Sequence, residues 1–123
     1  IAIDRKDGRN AMRKVTEQGK MWIGRGVSIA MFPEGTRSKN GEIGRFKQGA
    51  FALAKEAGVE ILPVVMHGTR TVLKKNFLMN WRNVLTVSVL PPISAEKIAA
   101  MEISEAMEMT HQMMCEEYEK IRK

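Results

Sequence analysis

The sequence predicts an α/β domain: a mixed, largely parallel sheet flanked by helices, with a long C-terminal helix. Three observations carry that expectation. Short apolar runs bounded by glycine and proline alternate with helix-period segments. The order strand, loop, helix, strand over Val27 to Met66 has the form of a βαβ unit, whose strands are normally parallel. The last thirty residues are charged and carry apolar side chains at three, four and seven spacings.

Ile1 to Ile3 reads as a strand tail ending at Asp4-Arg5, and Asp7-Gly8 as a turn. Asn10 to Trp22 is compatible with a helix, with Asn10 as N-cap and Ala11, Met12, Val15, Gly19 and Trp22 on its apolar face. Gly24-Arg25-Gly26 ends it. Val27 to Phe32 is almost wholly apolar and is expected to be a mostly buried strand. Pro33 to Arg45, with Gly35, Gly41 and Gly44 and no helical period, is a loop.

Phe46 to Ala57 forms a helix with Phe46, Ala50, Leu53, Ala54 and Ala57 inward and Gly58 at C′. Val59 to Met66 is the next strand, with Pro63 at an edge or bend because it cannot donate to a ladder. Thr69 to Asn83 is a connection, Val84 to Leu90 a strand, and Pro91-Pro92 stops it. Ser94 caps one long helix bearing Ile98, Met101, Met107, Met114, Tyr118 and Ile121.

With 123 residues, 44% hydrophobic and 28% charged, the chain suits one folded domain and not a disordered or fibrous one. Its apolar runs fall far short of the roughly 18 to 20 residues that span a bilayer. A single cysteine, Cys115, and two histidines, His67 and His111, offer neither an intrachain disulfide nor a zinc cluster. No cofactor is expected. The formal charge of +6 favours anionic partners. Nucleic acid is disfavoured, because aromatics are only 6% of residues and no helix-turn-helix, zinc or RNP pattern occurs. The glycines match neither a dinucleotide fingerprint nor a P-loop.

The chemistry concentrates in Phe32-Pro33-Glu34-Gly35-Thr36-Arg37-Ser38. Arg37 offers a planar fork of donors, Gly35 permits close backbone approach, and Thr36 and Ser38 add hydroxyls, a set suited to a phosphate. Glu34 would repel a phosphate, so it orients Arg37 or the loop backbone, or accepts from a substrate hydroxyl. An ordinary turn with solvated charges reads the same residues equally well.

These seven residues resemble the third signature block of the glycerolipid acyltransferases, the lysophosphatidic acid and glycerol-3-phosphate acyltransferases. Ile1 to Arg5 is similar to the second block, an apolar run ending in Asp-Arg. Ile61-Leu62-Pro63-Val64-Val65 is similar to the fourth, and Phe46 to Ala50 to the segment after the third. Order and spacing agree from Ile1 to Pro92; the last helix lies outside the likeness. The family's first block, His followed by four residues and Asp, is expected upstream of Ile1. His67 has Val72 at that offset and His111 has Glu116, a pair read as a solvated helix face.

The resemblance implies acyl transfer from acyl-CoA or an acyl carrier protein to lysophosphatidic acid or glycerol 3-phosphate, with phosphatidic acid as product when lysophosphatidic acid is the acceptor. It further implies that Glu34, Gly35, Thr36 and Arg37 position the glycerophosphate, with Arg5 and Lys47 as further contacts and Pro63 on the acyl side. Each has a plainer reading: a surface ion pair of Arg5 with Asp4 or Asp7, a solvated Lys47, a buried bend at Pro63. Residues 1–123 are then expected to be the C-terminal portion of a single acyltransferase domain. That portion would fold and recognise the acceptor without turning over, because the family's oriented base is missing. A bacterial enzyme at the cytoplasmic face of the membrane is the expected setting. Arg70 to Arg82 mixes cations with Leu73, Phe77, Leu78 and Trp81, as interfacial anchors do, or packs on the core. The methionines of the last helix mark an adaptable interface or core. The competing reading is a non-catalytic basic module that binds anionic lipid.

Overall fold

The structure, a computed structural model, describes residues 8–72 and 82–123. The expected strand at Ile1 to Ile3, together with Asp4 and Arg5, lies outside the described residues, as does most of the candidate membrane-facing stretch, residues 73–81.

In chain order the elements are α1 (Gly8–Gly24), α2 (Gly49–Ala57), β1 (Val64–His67), α3 (Thr69–Val72), β2 (Thr86–Val89), α4 (Ala95–Ala99) and α5 (Ile103–Ile121). Mixed helix and strand are as expected, but a largely parallel sheet is not. Among the described residues the sheet has two strands, β1 and β2, and they are antiparallel, with Val65 opposite Ser88 and His67 opposite Thr86. The chain returns from β1 to β2 in the opposite direction, so the pair is not the two parallel strands of a βαβ unit. An isolated antiparallel bridge, Ile61 to Ile93, extends the pairing past Pro63. Pro63 is buried there and contributes only its carbonyl, which accepts from Leu90 N–H at 3.0 Å. A proline fits that place because no donor is asked of it.

Val27 to Phe32 corrects the sequence expectation most sharply. The segment forms no ladder with the described residues, and Val27, Met31 and Phe32 are 45%, 37% and 77% exposed. Apolar composition predicts burial only where something covers the side chains. Here Ile29 alone is partly covered, lying against Gly19 of α1. The sheet shows the same asymmetry. Val65, Thr86 and Ser88 face α5, whereas Val64, Met66, Val87 and Val89 leave an apolar face open.

The core sits between helices. Phe46, Phe51 and Ala106 are buried together, with Ile43, Ala50, Ile61, Met101, Ile103, Met107 and Met114 packed around them. Those three methionines of the chain's last quarter are therefore core fillers, a use suited to their flexible side chains. α1 approaches α2 closely because Gly19 and Gly49 carry no side chain: a Cβ on Gly19 would lie 2.8 Å from Leu53, and one on Gly49 2.5 Å from Met12. Helix α2 ends as expected at a left-handed Gly58.

Three helix starts differ from the sequence reading, that of α2 by beginning at Gly49 and not at Phe46. α1 begins by Gly8, which places Asn10 inside the first turn. The single helix expected from Ser94 is two. Ser94 does cap α4, its hydroxyl accepting from Lys97 N–H, but the chain breaks at 100–102 and Glu102 caps α5 in a reciprocal box with Glu105. The Nζ of Lys55 in α2 donates to Met101 O at 2.6 Å, tying the break to the core. A carboxylate can replace the usual Ser or Thr in such a box because it too accepts the N3 amide.

Candidate functional site

The segment from Phe32 to Lys47 is a closed loop built around its own backbone. Gly35 N–H donates to Phe32 O at 3.0 Å, a turn with Pro33 at its second position, where a fixed φ suits it. Lys47 N–H donates to Pro33 O at 2.8 Å and joins the two ends. The carboxylate of Glu34 crosses the middle, accepting from Gly44 N–H at 2.8 Å. At the tip, Ser38 Oγ accepts from Gly41 N–H at 2.9 Å and Asn40 Oδ1 from Glu42 N–H at 3.1 Å. Short polar side chains thus replace a regular ladder, the usual way for a compact loop to satisfy its amides.

This geometry decides among the readings of Glu34. It holds the loop backbone, and its negative charge is partly spent on that hydrogen bond. Gly35 has φ +68, which favours glycine, and a Cβ there would lie 3.1 Å from Lys47 Nζ and 3.2 Å from Lys47 Cε. Lys47 is therefore brought against Gly35. Arg37 and Thr36 are exposed, and Arg37 engages no carboxylate among the described residues. Ser38 is committed to the loop tip. Arg5 lies outside the described residues, and Pro63 sits at the sheet, buried beside Leu90.

Several neighbours were not legible as such in the sequence. Arg70, grouped there with a membrane-facing stretch, turns towards the loop: a Cβ on Gly41 would lie 3.5 Å from its Nη1. His111, read as part of a solvated face, is half-buried. Its Nε2 lies 3.1 Å from Gly44 O, so that nitrogen carries the bonding proton, and its ring meets Phe46 edge-on at 4.7 Å. Glu116 does not orient it; that carboxylate accepts from Gln112 on the outer face. Tyr118 donates to Gly41 O, and Arg122 binds Glu42 at 2.7 Å. The spacing of His111, Tyr118 and Arg122 on one helix face was the available signal, but nothing local says what that face meets.

Cys115 lies 3.7 Å from His111 Nε2, a pairing that superficially resembles a nucleophile and base. Its thiol is pushed above the usual range, first by burial and then by Glu119, Glu34 and Glu42, so it stays protonated and weakly nucleophilic at neutral pH. The thiol of a reactive dyad is shifted the other way. No group of His, Cys, Asp or Glu among the described residues is arranged to hold a metal ion. A shallow open groove lined by Met12, Thr16, Ala52, Lys55 and Ile103 includes no residue of the loop.

The site is a backbone-rich loop with Lys47 against Gly35, Arg70 near Gly41 and one inward carboxylate, a disposition suited to a small phosphate. Comparison with known proteins gives the family. A model of the family described as Acyltransferase matches residues 1–67, more than half of the chain and the whole of this loop.

The chain belongs to the acyltransferase family.

Among its curated relatives is the 1-acyl-sn-glycerol-3-phosphate acyltransferase of Limnanthes douglasii, 32% identical over 111 residues, covering 90% of this chain and 40% of the relative. The 1-acyl-sn-glycerol-3-phosphate acyltransferase alpha of Mus musculus is 36% identical over 104 residues, covering 84% and 36%. The 1-acyl-sn-glycerol-3-phosphate acyltransferase of Pseudomonas aeruginosa is 32% identical over 105 residues, covering 85% and 40%. The chain spans about 40% of the length of these acyltransferases or less. They come from a plant, a mammal and a bacterium, so the likeness does not single out a bacterial source. No solved structure matches the chain significantly.

Proposed function

We propose that this chain carries the acceptor-recognition part of an acyltransferase that moves an acyl group from a thioester to the sn-2 hydroxyl of 1-acyl-sn-glycerol 3-phosphate. In that reaction the hydroxyl oxygen attacks the thioester carbonyl. A C–O ester bond forms, the C–S bond breaks, and the hydroxyl proton ends on the departing thiol, leaving phosphatidic acid. The donor is acyl-CoA or acyl carrier protein, and the working place is the cytoplasmic face of a membrane.

The observation that carries the reading is the arrangement at Gly35, where the Lys47 ammonium lies against the glycine, with Arg37 exposed two residues on and engaging no carboxylate among the described residues. Glu34, turned to Gly44, is removed from direct repulsion. Such charge-assisted hydrogen bonds are roughly twice as strong as neutral ones. Thr36 supplies a further hydroxyl. Arg5 is proposed as a second phosphate contact, and Pro63, buried at the sheet, as an acyl-side or purely structural residue.

The chain as it stands is proposed to bind without turnover. Neither histidine is followed by Asp at the fifth position, and His111 already engages Gly44 O. General-base catalysis needs an oriented imidazole with a free nitrogen facing the acceptor hydroxyl.

Calorimetric or NMR titration of the chain with glycerol 3-phosphate, beside Arg37→Ala, tests the proposal. Loss of one charge-assisted bond, about 1.5–3 kcal/mol, predicts roughly 10- to 100-fold weaker binding for the variant. Equal binding by both proteins would remove the phosphate from this loop. If instead both bind anionic vesicles alike and neither binds glycerol 3-phosphate, the chain is a basic lipid-binding module.

A further inference from the structure

We infer that α5 is a strap that positions the phosphate loop, with His111, Tyr118 and Arg122 as positioning residues; the inference rests on the phosphate-binding reading of that loop. The three side chains share one helix face, seven and four residues apart, and each takes a different point of the segment Gly41 to Gly44. His111 binds the carbonyl of Gly44, Tyr118 that of Gly41, and Arg122 the side chain of Glu42. Seven helical residues rise about 10.5 Å, so side chains seven apart on α5 reach two separate points of the segment. One helix turned against the segment can therefore hold both ends of it at once.

The grip is placed where it matters for the site. Gly44 offers its carbonyl to His111 and its N–H to Glu34, so a single residue, through two successive peptide groups, links α5 to the carboxylate that closes the loop. A Cβ on Gly44 would lie 2.9 Å from Glu34 Oε2, so the carboxylate can close on that peptide only because the position is bare. The segment is also held from below, since Ile43 and Phe46 enter the core against α5 residues Ala106, Met107 and Met114. Tyr118 is itself fixed between the His67 ring at 5.6 Å and the Arg122 guanidinium at 5.9 Å, which ties the strap to the end of β1. Residues matched by the family end at 67, so this support comes from outside the family's matched stretch.

The test combines Tyr118→Phe with His111→Phe, which keep the aromatic packing and remove both bonds to the loop, and uses His111→Gln on its own as a donor-retaining rescue. Two readouts are taken on the whole chain: amide exchange at Gly44, and affinity for glycerol 3-phosphate. In the double variant Gly44 exchange is expected to quicken roughly tenfold and affinity to fall roughly five- to tenfold, the size of one or two net hydrogen bonds. Core amides of α2 should stay protected, and His111→Gln should keep most of the affinity. Glycerol 3-phosphate binding that depends on Arg37 yet is unmoved in the double variant overturns the strap alone. A wild-type chain that does not bind glycerol 3-phosphate overturns the phosphate reading, and the positioning role falls with it. Uniform loss of protection, α2 included, would show a general stabiliser and also refute the positioning role.

Discussion

The carboxylate of Glu34 reaches across ten residues of chain to accept the Gly44 amide at 2.8 Å, and that bond turns a glycine-rich segment into a closed loop. Both groups are half-buried, so water competes poorly for them. Glu34→Ala is expected to lower stability by about 1–3 kcal/mol, the cost of leaving a partly buried amide unpaired. Glu34→Gln, which keeps an acceptor, should recover much of this. Chemical denaturation of the three proteins measures it; an alanine variant as stable as the glutamine one would show that the bond contributes nothing.

Gly35→Ala should act on binding more than on stability. A left-handed residue with a Cβ costs about 1–2 kcal/mol, and the added methyl would stand 3.1 Å from Lys47 Nζ and push that flexible side chain off the glycine. Titration with glycerol 3-phosphate should show at least a tenfold loss, while Lys47→Ala gives a smaller one. Unchanged affinity in Gly35→Ala would mean that the ligand does not approach this face.

Backbone contact makes Gly68 the least replaceable position described. Its φ is +95, and a Cβ there would collide with the carbonyl oxygen of Val84, an atom that cannot rotate away. Gly68→Ala should destabilise by more than about 3 kcal/mol, combining strain and overpacking. A thermal midpoint within a degree or two of wild type would contradict the close crossing of these two segments.

The Ser88 hydroxyl donates to Glu117 at 2.6 Å and, ahead of Lys120, holds that carboxyl below the ordinary glutamate range against a smaller opposing effect of desolvation. A depressed folded-state pKa contributes stability that is present above the unfolded value and lost as pH falls through the folded one. Ser88→Ala should therefore be less stable than wild type at neutral pH, and the gap should close in acid. NMR titration of the Glu117 carboxyl checks the cause; a Glu117 pKa equal in the two proteins would refute it.

Burial and the surrounding carboxylates raise the Cys115 thiol. Alkylation of the folded chain by iodoacetamide at neutral pH is expected to be several-fold slower than that of a free thiol, whose pKa is about 8.5, and to accelerate only in more alkaline solution. Rapid modification at neutral pH would show that the pair with His111 is reactive after all.

Local chemistry made much of this protein readable from its residues. Phe32 to Ser38 declares a tight, cationic loop through Pro33, Gly35 and Arg37, and the likeness to the acyltransferases at that block agrees with the family match. The helices over residues 8–24 and 49–57, the left-handed Gly58 and the Ser94 cap all follow from periodicity and capping, which depend on neighbours within a turn or two. Glu102 was harder, because a carboxylate at N-cap with Glu105 behind it lacks the common Ser or Thr signature.

What a segment faces is not a local property. The apolar run Val27 to Phe32 is equally compatible with a buried strand and with the open, extended stretch observed, since composition does not state whether a partner lies alongside. Strand direction is not local either: β1 pairs with β2 antiparallel through partners 19 to 25 residues apart. His111 reads as part of a solvated face and Tyr118 as one of the helix's apolar positions until α5 is laid against Gly41 to Gly44, where both bond the loop backbone. The sequence by itself determined the loop's donors and its tight turn, because both are written in residue types within seven positions. Only the tertiary structure decided what holds that loop in shape, because a hydrogen bond between residues 67 or 77 apart exists only once the chain has folded.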